Sequence, residues 1–189
     1  MELITKIFCL LLLLPSQLFA QSEEDYDLNV GLYYSAGFLT EQTQTSNAHL
    51  SVGFLKNKIE GSLDLFYFLN AQGERERFNF NHQLFLGANY YFMVNKIKPY
   101  VGVQVGLASS ESSEYGVFNT NNELVYESSI NPLTSFNFGV KYAVSERFNI
   151  TFSGRQIFGK HLANSYSTYL DELRFSFGIN YSIINKTTP

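Results

Sequence analysis

The chain has 189 residues, enough for one domain with a sizeable core. Only 16% of them are charged, against roughly 25% in an ordinary water-soluble domain, so little is available to coat a solvated surface. The net charge of -4 and the lack of a basic patch give no reason to expect a nucleic-acid partner.

The first twenty residues read as a separate object. Lys6 supplies a positive charge, Ile7 to Leu14 form an apolar run too short to span a bilayer, and Pro15 breaks it. "SQLFA" then ends on a small residue before Gln21, which predicts a secretory leader over 1–20 that is cleaved about there. The single cysteine, Cys9, falls inside this leader. The mature segment, 21–189, is therefore expected to have no disulfide, no thiol nucleophile and no cysteine-ligated metal.

After an acidic start, "QSEEDYD", eight stretches alternate between apolar and polar residues. Period two is the side-chain period of a β-strand with two unlike faces. In chain order the stretches are 28–39, 48–55, 59–69, 78–92, 99–108, 135–144, 147–158 and 174–183. The first groups Leu28, Val30, Leu32, Tyr34, Ala36 and Phe38 on one face. The last, "RFSFGINYSI", groups Phe175, Phe177, Ile179, Tyr181 and Ile183. No stretch has a convincing helical period. The connections alternate between short ("KNK", "VNKIK", "SE") and long and polar (40–47, 70–77, 109–134, 159–171). Short turns thus gather at one end of a sheet and long loops at the other.

Which solvent each face meets decides the fold. On a water-soluble barrel the polar face would carry lysine, glutamate and arginine. Here it carries Gly31, Gly37, Gly53, Gly87, Gly102, Gly106, Gly139 and Gly178, with Ser35, Ser51, Ser62, Ser153 and Ser176. Glycine weakens a solvated strand but leaves room for a neighbour in a crowded interior. Tyr33, Phe66, Phe68, Phe85, Tyr91 and Tyr100 share that parity and would fill the room. The polar face reads as an inside and the apolar face as an outside. An apolar outside is tolerable in lipid, and a closed barrel crosses lipid because each strand satisfies its neighbours' backbone groups. Tilted strands of about 9–11 residues suffice. Aromatic residues fall near both ends of the apolar face, as in interfacial girdles: Phe54, Tyr90, Phe92, Tyr142, Phe148 and Tyr181 by the short turns, and Phe38, Tyr67, Phe80, Phe136 and Phe158 by the long loops. The expected fold is an all-β, eight-stranded, antiparallel up-and-down transmembrane barrel. The competing arrangement, a soluble lipocalin-like carrier, would need the apolar face turned inward.

From about Tyr26 to Ile184 the chain resembles the small eight-stranded outer-membrane barrels of the OmpA/OmpX and opacity-protein type. The most specific part is the last strand. Ser176, Gly178, Tyr181 and Ile183 match the family's assembly signal of a polar residue, a glycine, an aromatic and a hydrophobic residue at fixed spacing. The segment 96–108 is similar to the family's fifth strand, and 142–150 to its third periplasmic turn. The resemblance implies residence in the outer membrane of a Gram-negative bacterium and recognition by the barrel-assembly machinery. "NKTTP" after the last strand departs from relatives that end on an aromatic.

The inward parity also carries Glu60, Asp64, Lys141, Arg155 and Arg174. Charges in a narrow lumen are costly unless paired, so an internal ion-pair network that plugs the barrel is expected. A narrow path for ions or small solutes is the alternative. Some small outer-membrane barrels act on lipid A, which makes His49, Ser51 and Glu60 the trio to weigh as base, nucleophile and orienting carboxylate. Their parity points them into the lumen, away from lipid, so no enzyme is expected. His82 has the lipid-facing parity without a serine or carboxylate beside it, and His161 is expected in a solvated loop. No residue set calls for a metal or cofactor, and the acidic residues of 109–134 lack the spacing of a calcium loop. In that loop "EYGVF" and "ELVYE" flank "NTNN" and predict a hairpin standing above the membrane. Its Tyr115, Phe118, Val125 and Tyr126 would offer an extracellular partner an exposed surface, and outer-membrane lipid is the other partner expected. The function expected is structural or interactive.

Overall fold

The computed structural model describes residues 26–39, 43–72, 78–92, 96–113, 117–163 and 168–185. The expected leader, residues 1–20, and Tyr115 lie outside them. Among the described residues there is no helix. The strands are β1 (Tyr26–Leu39), β2 (Gln44–Lys56), β3 (Ile59–Gln72), β4 (Phe78–Tyr91) and β5 (Ile97–Ser112), then β6 (Val117–Phe118) and β7 (Leu124–Val125). They continue with β8 (Ser128–Ala143), β9 (Phe148–His161), β10 (Thr168–Tyr169) and β11 (Glu172–Asn185).

Eight of these are long and form one closed ring. Each pairs antiparallel with its sequence neighbour, in the order β1-β2-β3-β4-β5-β8-β9-β11, and β11 pairs back onto β1. Closure leaves the ring no free edge, which is the condition for a sheet to lie in hydrocarbon. The seam is held inside as well as along the backbone. Tyr33 donates to Asn180 at 2.5 Å, Ser182 to Asn29 at 2.6 Å, and the Ser35 and Ser176 hydroxyls meet at 2.7 Å. Glycine is needed at this seam: a Cβ on Gly178 would lie 2.6 Å from the Tyr33 Cα.

Alternation in the sequence becomes alternation in exposure. On β11, Glu172, Arg174, Ser176, Gly178, Asn180 and Ser182 are buried, while Phe177, Ile179 and Ile183 are about half exposed, at 59%, 57% and 48%. On β5 Val101, Val103, Val105 and Leu107 face outward in the same way. Water would reject such a surface, whereas lipid hydrocarbon accepts it. The aromatic residues at the ends of this band pair edge to face, Phe136 with Phe158 at the loop end and Tyr90 with Phe92 at the turn end.

The eight long strands run 13 to 16 residues, longer than the alternation of apolar residues indicates. Gln44 to Asn47, read from the sequence as loop, pair with β1 up to Phe38↔Gln44. Asn70, Ala71 and Gln72 likewise pair with β2. Once outside the hydrocarbon a strand no longer needs apolar residues, so the ladder continues where the sequence signal stops. The third long connection stands as a hairpin: β5 and β8 pair out to Glu111↔Ser128, and β6 with β7 forms a small ribbon above them. Its turn is closed by Asn119, whose side-chain oxygen accepts from the Asn121 and Glu123 amides at 2.9 Å, with Asn122 at φ 61°.

The fourth long connection departs from expectation. β9 runs on to His161, and β10 folds back on it through Thr168↔His161. His161 is fully buried rather than solvated. Its position continues the inward parity of Arg155, Ile157 and Gly159. There its Nδ1 lies 2.9 Å from the Ser110 hydroxyl, and its ring meets Phe78 edge to face.

Candidate functional site

Among the described residues the interior holds six buried charges, and they stand in three tiers along the axis. At the turn end β3 places Glu60. Its carboxylate accepts from Lys141 Nζ at 2.8 Å, the Tyr91 hydroxyl at 2.7 Å, Asn29 at 3.1 Å and Asn89 at 3.2 Å. The Lys141 ammonium also lies 4.9 Å from the centre of the Tyr91 ring.

The middle tier is built on Asp64, four residues further along β3 and on the same face. It accepts from Arg155 Nη2 at 2.6 Å and Gln104 Nε2 at 2.7 Å, and His49 Nε2 lies 3.2 Å away. Arg155 in turn donates to the Gln104 side-chain oxygen. Three strands that are not neighbours, β3, β5 and β9, are thereby tied across the lumen. The third tier is Arg174 on β11, which grips Glu172 through Nε at 3.0 Å and Nη2 at 2.5 Å. Glu172 also accepts from Thr45 at 2.6 Å, joining β11 to β2 across β1. Phe66 separates the upper tiers: the Arg155 and Arg174 guanidiniums lie 4.9 and 4.4 Å from its ring centre.

All six charged groups are at least nine-tenths buried, and cations and anions balance. Such pairing is what a low-dielectric interior demands, since an unpaired ion there is unfavourable by several kcal/mol. Toward the loops an apolar cluster of Leu39, Phe66, Phe78, Phe85, Ala108, Leu133, Ile157 and Leu170 fills the bore. Toward the turns Leu55, Tyr91 and Tyr100 do so. Between them lies a cavity of about 20 Å³ lined by Ser51, Glu60, Asp64, Tyr100, Ser153 and other network residues. That is room for about one water molecule.

Of the inward charges read from the sequence, Glu60 meets Lys141 and Asp64 meets Arg155. Arg174 meets none of the other four; its partner is Glu172, which the sequence reading did not single out. The signal was present, because Glu172 and Arg174 are two apart and share one face. Tyr91, Gln104 and Asn89, the neutral members, carry no sequence mark beyond their parity. The trio of His49, Ser51 and Glu60 does not assemble as a catalytic set: His49 lies against Asp64, while Glu60 is held by Lys141, Tyr91 and two asparagines. The His49 ring is stacked between Tyr33 and Phe66, with ring centres at 4.4 and 4.0 Å. His82 faces outward, stacks on Tyr67 at 4.4 Å and accepts from the Phe68 amide at 3.1 Å. Among the described residues no group of three or more His, Cys, Asp or Glu could hold a metal ion.

The four residues of the family-like terminal motif divide between the two faces. Ser176 and Gly178 line the interior at the seam, and Tyr181 and Ile183 face outward near the turns. Tyr181 meets Phe148 edge to face at 5.2 Å.

Gly37 makes the packing of the third tier testable. A Cβ there would occupy the place of the Glu172 carboxylate. Gly37→Ala is expected to destabilise the folded barrel by about 1–3 kcal/mol, measured by urea unfolding in lipid vesicles, since an overfilled interior must shift its ion pair. Gly61→Ala, whose Cβ would meet nothing within 4 Å, is the matched control and is expected to change little.

No family model and no curated protein matches the chain. Solved structures do. Neisserial surface protein A superposes with a TM-score of 0.61 at 14% identity, over 82% of this chain and 96% of that one. The N-terminal β-barrel domain of Pseudomonas aeruginosa OprF gives 0.57 at 15% identity, over 86% and 99%. Ail, the attachment invasion locus protein of Yersinia pestis, gives 0.51 at 11% identity, over 85% and 99%. At these identities the likeness speaks for the fold. Ring closure, strand number and fold define a small eight-stranded outer-membrane β-barrel. With the apolar exterior of its own strands, the chain is an integral outer-membrane protein.

Proposed function

We propose that the chain serves as a structural and surface-presenting protein of the outer membrane, its lumen sealed rather than conducting. The observation that carries this reading is the three-tier network, in which each buried charge named above is paired with an opposite one, Lys141–Glu60 and Arg155–Asp64 across the barrel and Arg174–Glu172 along β11, and which is bracketed by apolar clusters. A conducting bore would need those charges to face continuous water. Catalysis at His49 is disfavoured by the same enclosure, because the ester bonds of a lipid lie outside the wall. At the loop end the β6–β7 ribbon presents Phe118, at 69% exposure, together with Leu124 and Val125. An edge of this kind can take a further strand from a partner, so this ribbon is where an extracellular partner would dock.

A narrow ion path is the competing reading. It is favoured by polar atoms in the loop-side half that have no protein partner, namely the amides of Asn47 and Gln83 and Nη1 of Arg174. Planar-bilayer recording separates the two. The sealed barrel is expected to give no steady open level, and a reproducible unitary conductance lost in Arg155→Met would establish the path.

A further inference from the structure

The outer wall is not uniform. On the lipid-facing side of β3, next to the β2–β3 turn, an open groove of about 570 Å³ is lined by Phe54, Lys56, Lys58, Ile59, Gly61 and Tyr90. Its size falls within the range of ligand-sized clefts, roughly 300–1,000 Å³. Gly61 makes it. The residue faces outward between Phe54 on β2 and Ala88 on β4, and a Cβ there would find nothing within 4 Å. Tyr90, one wall of the groove, is held edge to face against Phe92 at 5.1 Å. The floor and walls are apolar, and the two charges are lysines at the membrane-boundary rim. The tight turn holds them there, with Asn57 at φ 59° reversing the chain in two residues.

The rim belongs to a wider pattern. Among the described residues of the short-turn end, Lys56, Lys58, Lys96 and Arg147 are exposed and Lys98 is half-buried, against exposed Glu146 and half-buried Asp27. Among the described residues of the loop end, the exposed or half-buried acids Glu111, Glu123, Glu127 and Asp171 stand against Lys160. Lysine stems lie along apolar surface and carry their ammonium groups to the interface, where anionic headgroups attract them.

We propose that this groove is a binding site for one anionic phospholipid of the periplasmic leaflet. Its acyl chain fills the notch over Gly61 between Phe54 and Tyr90, and its phosphate pairs with Lys56 and Lys58. The proposal rests on the exterior facing lipid, and the test separates the two. The mature barrel is folded into bilayers of equimolar phosphatidylethanolamine and phosphatidylglycerol, released in mild detergent and weighed by native mass spectrometry. A boiled-against-unboiled gel run on the same samples reports whether the barrel has folded. Wild type is expected to retain one phosphatidylglycerol with roughly tenfold preference over phosphatidylethanolamine. The double variant Lys56→Gln/Lys58→Gln is expected to bring that preference close to one. Gly61→Leu, which fills the notch, is expected to remove retention of both lipids. If Gly61→Leu does not fold, the lysine pair decides alone. Folded wild type without bound lipid, an unchanged preference in the lysine variant, or a dimer of the chain without lipid would overturn the site and leave the barrel standing. A wild type with no gel shift would overturn the barrel itself.

Discussion

Asp64→Asn is expected to cost the folded barrel about 3–5 kcal/mol, the usual price of leaving one partner of a buried ion pair alone. Asn keeps the shape of the side chain but removes the charge that Arg155 meets at 2.6 Å. Arg155 is 6% exposed, so water does not take over the role. One carboxylate oxygen also becomes an amide nitrogen, so the group on that side, Gln104 at one oxygen or His49 at the other, faces a donor in place of an acceptor. The measurement is urea unfolding in lipid vesicles, followed by the gel shift between folded and unfolded forms. The paired variant Asp64→Leu/Arg155→Met separates charge from packing. Replacing both ions with apolar residues of similar volume is expected to recover most of the loss, because neither group then has to be desolvated as an ion. A cost below about 1 kcal/mol for Asp64→Asn would mean that the middle tier is solvated, since exposed pairs contribute in that range.

Val103→Arg is expected to cost about 2–4 kcal/mol, whereas Ile97→Arg on the same face of the same strand should cost about 0–1 kcal/mol. Both residues face outward and are about half exposed, at 56% and 49%. They differ in depth: Val103 is mid-strand, while Ile97 is the first residue of β5 at the turn end. A guanidinium at the middle of the hydrocarbon has no partner, whereas one at the boundary reaches the headgroups. Gln104, the inward neighbour of Val103, is not a neutral control for this comparison. It bonds Ser62, Asp64 and Arg155, so a cation there would crowd the one already present. Equal costs at 103 and 97 in lipid would contradict the membrane depth assigned to β5.

The alternation of residues was enough to read the barrel, because side-chain direction in a strand is local. Phe177 outward and Ser176 inward follow from period two alone. The same rule placed Glu60, Asp64, Lys141, Arg155 and Arg174 on the inner face. It could not say which charge meets which, since cross-barrel contacts depend on how strands far apart in sequence stagger around the ring. Arg155 reaches Asp64 over 91 positions of sequence separation. Glu172 carries no strand signal because it precedes the apolar residues that mark β11. His161 was misplaced for a related reason: a strand leaving the hydrocarbon keeps its ladder but drops its apolar residues, so the sequence looks like loop while the backbone remains paired. The lipid groove depends on an absence, the missing side chain at Gly61, and glycine in a strand does not by itself say which face needs the space.

The apolar face of each strand lies against hydrocarbon, and one residue reports on it directly. The chain has no tryptophan, so Phe177→Trp supplies a single probe on the middle of β11. In vesicles of acyl-chain-brominated phosphatidylcholine its fluorescence is predicted to be strongly quenched, and acrylamide in the water is predicted to have little effect. Fluorescence that ignores the brominated chains, whether quenched by acrylamide or by neither agent, would contradict the outward assignment and the membrane address with it.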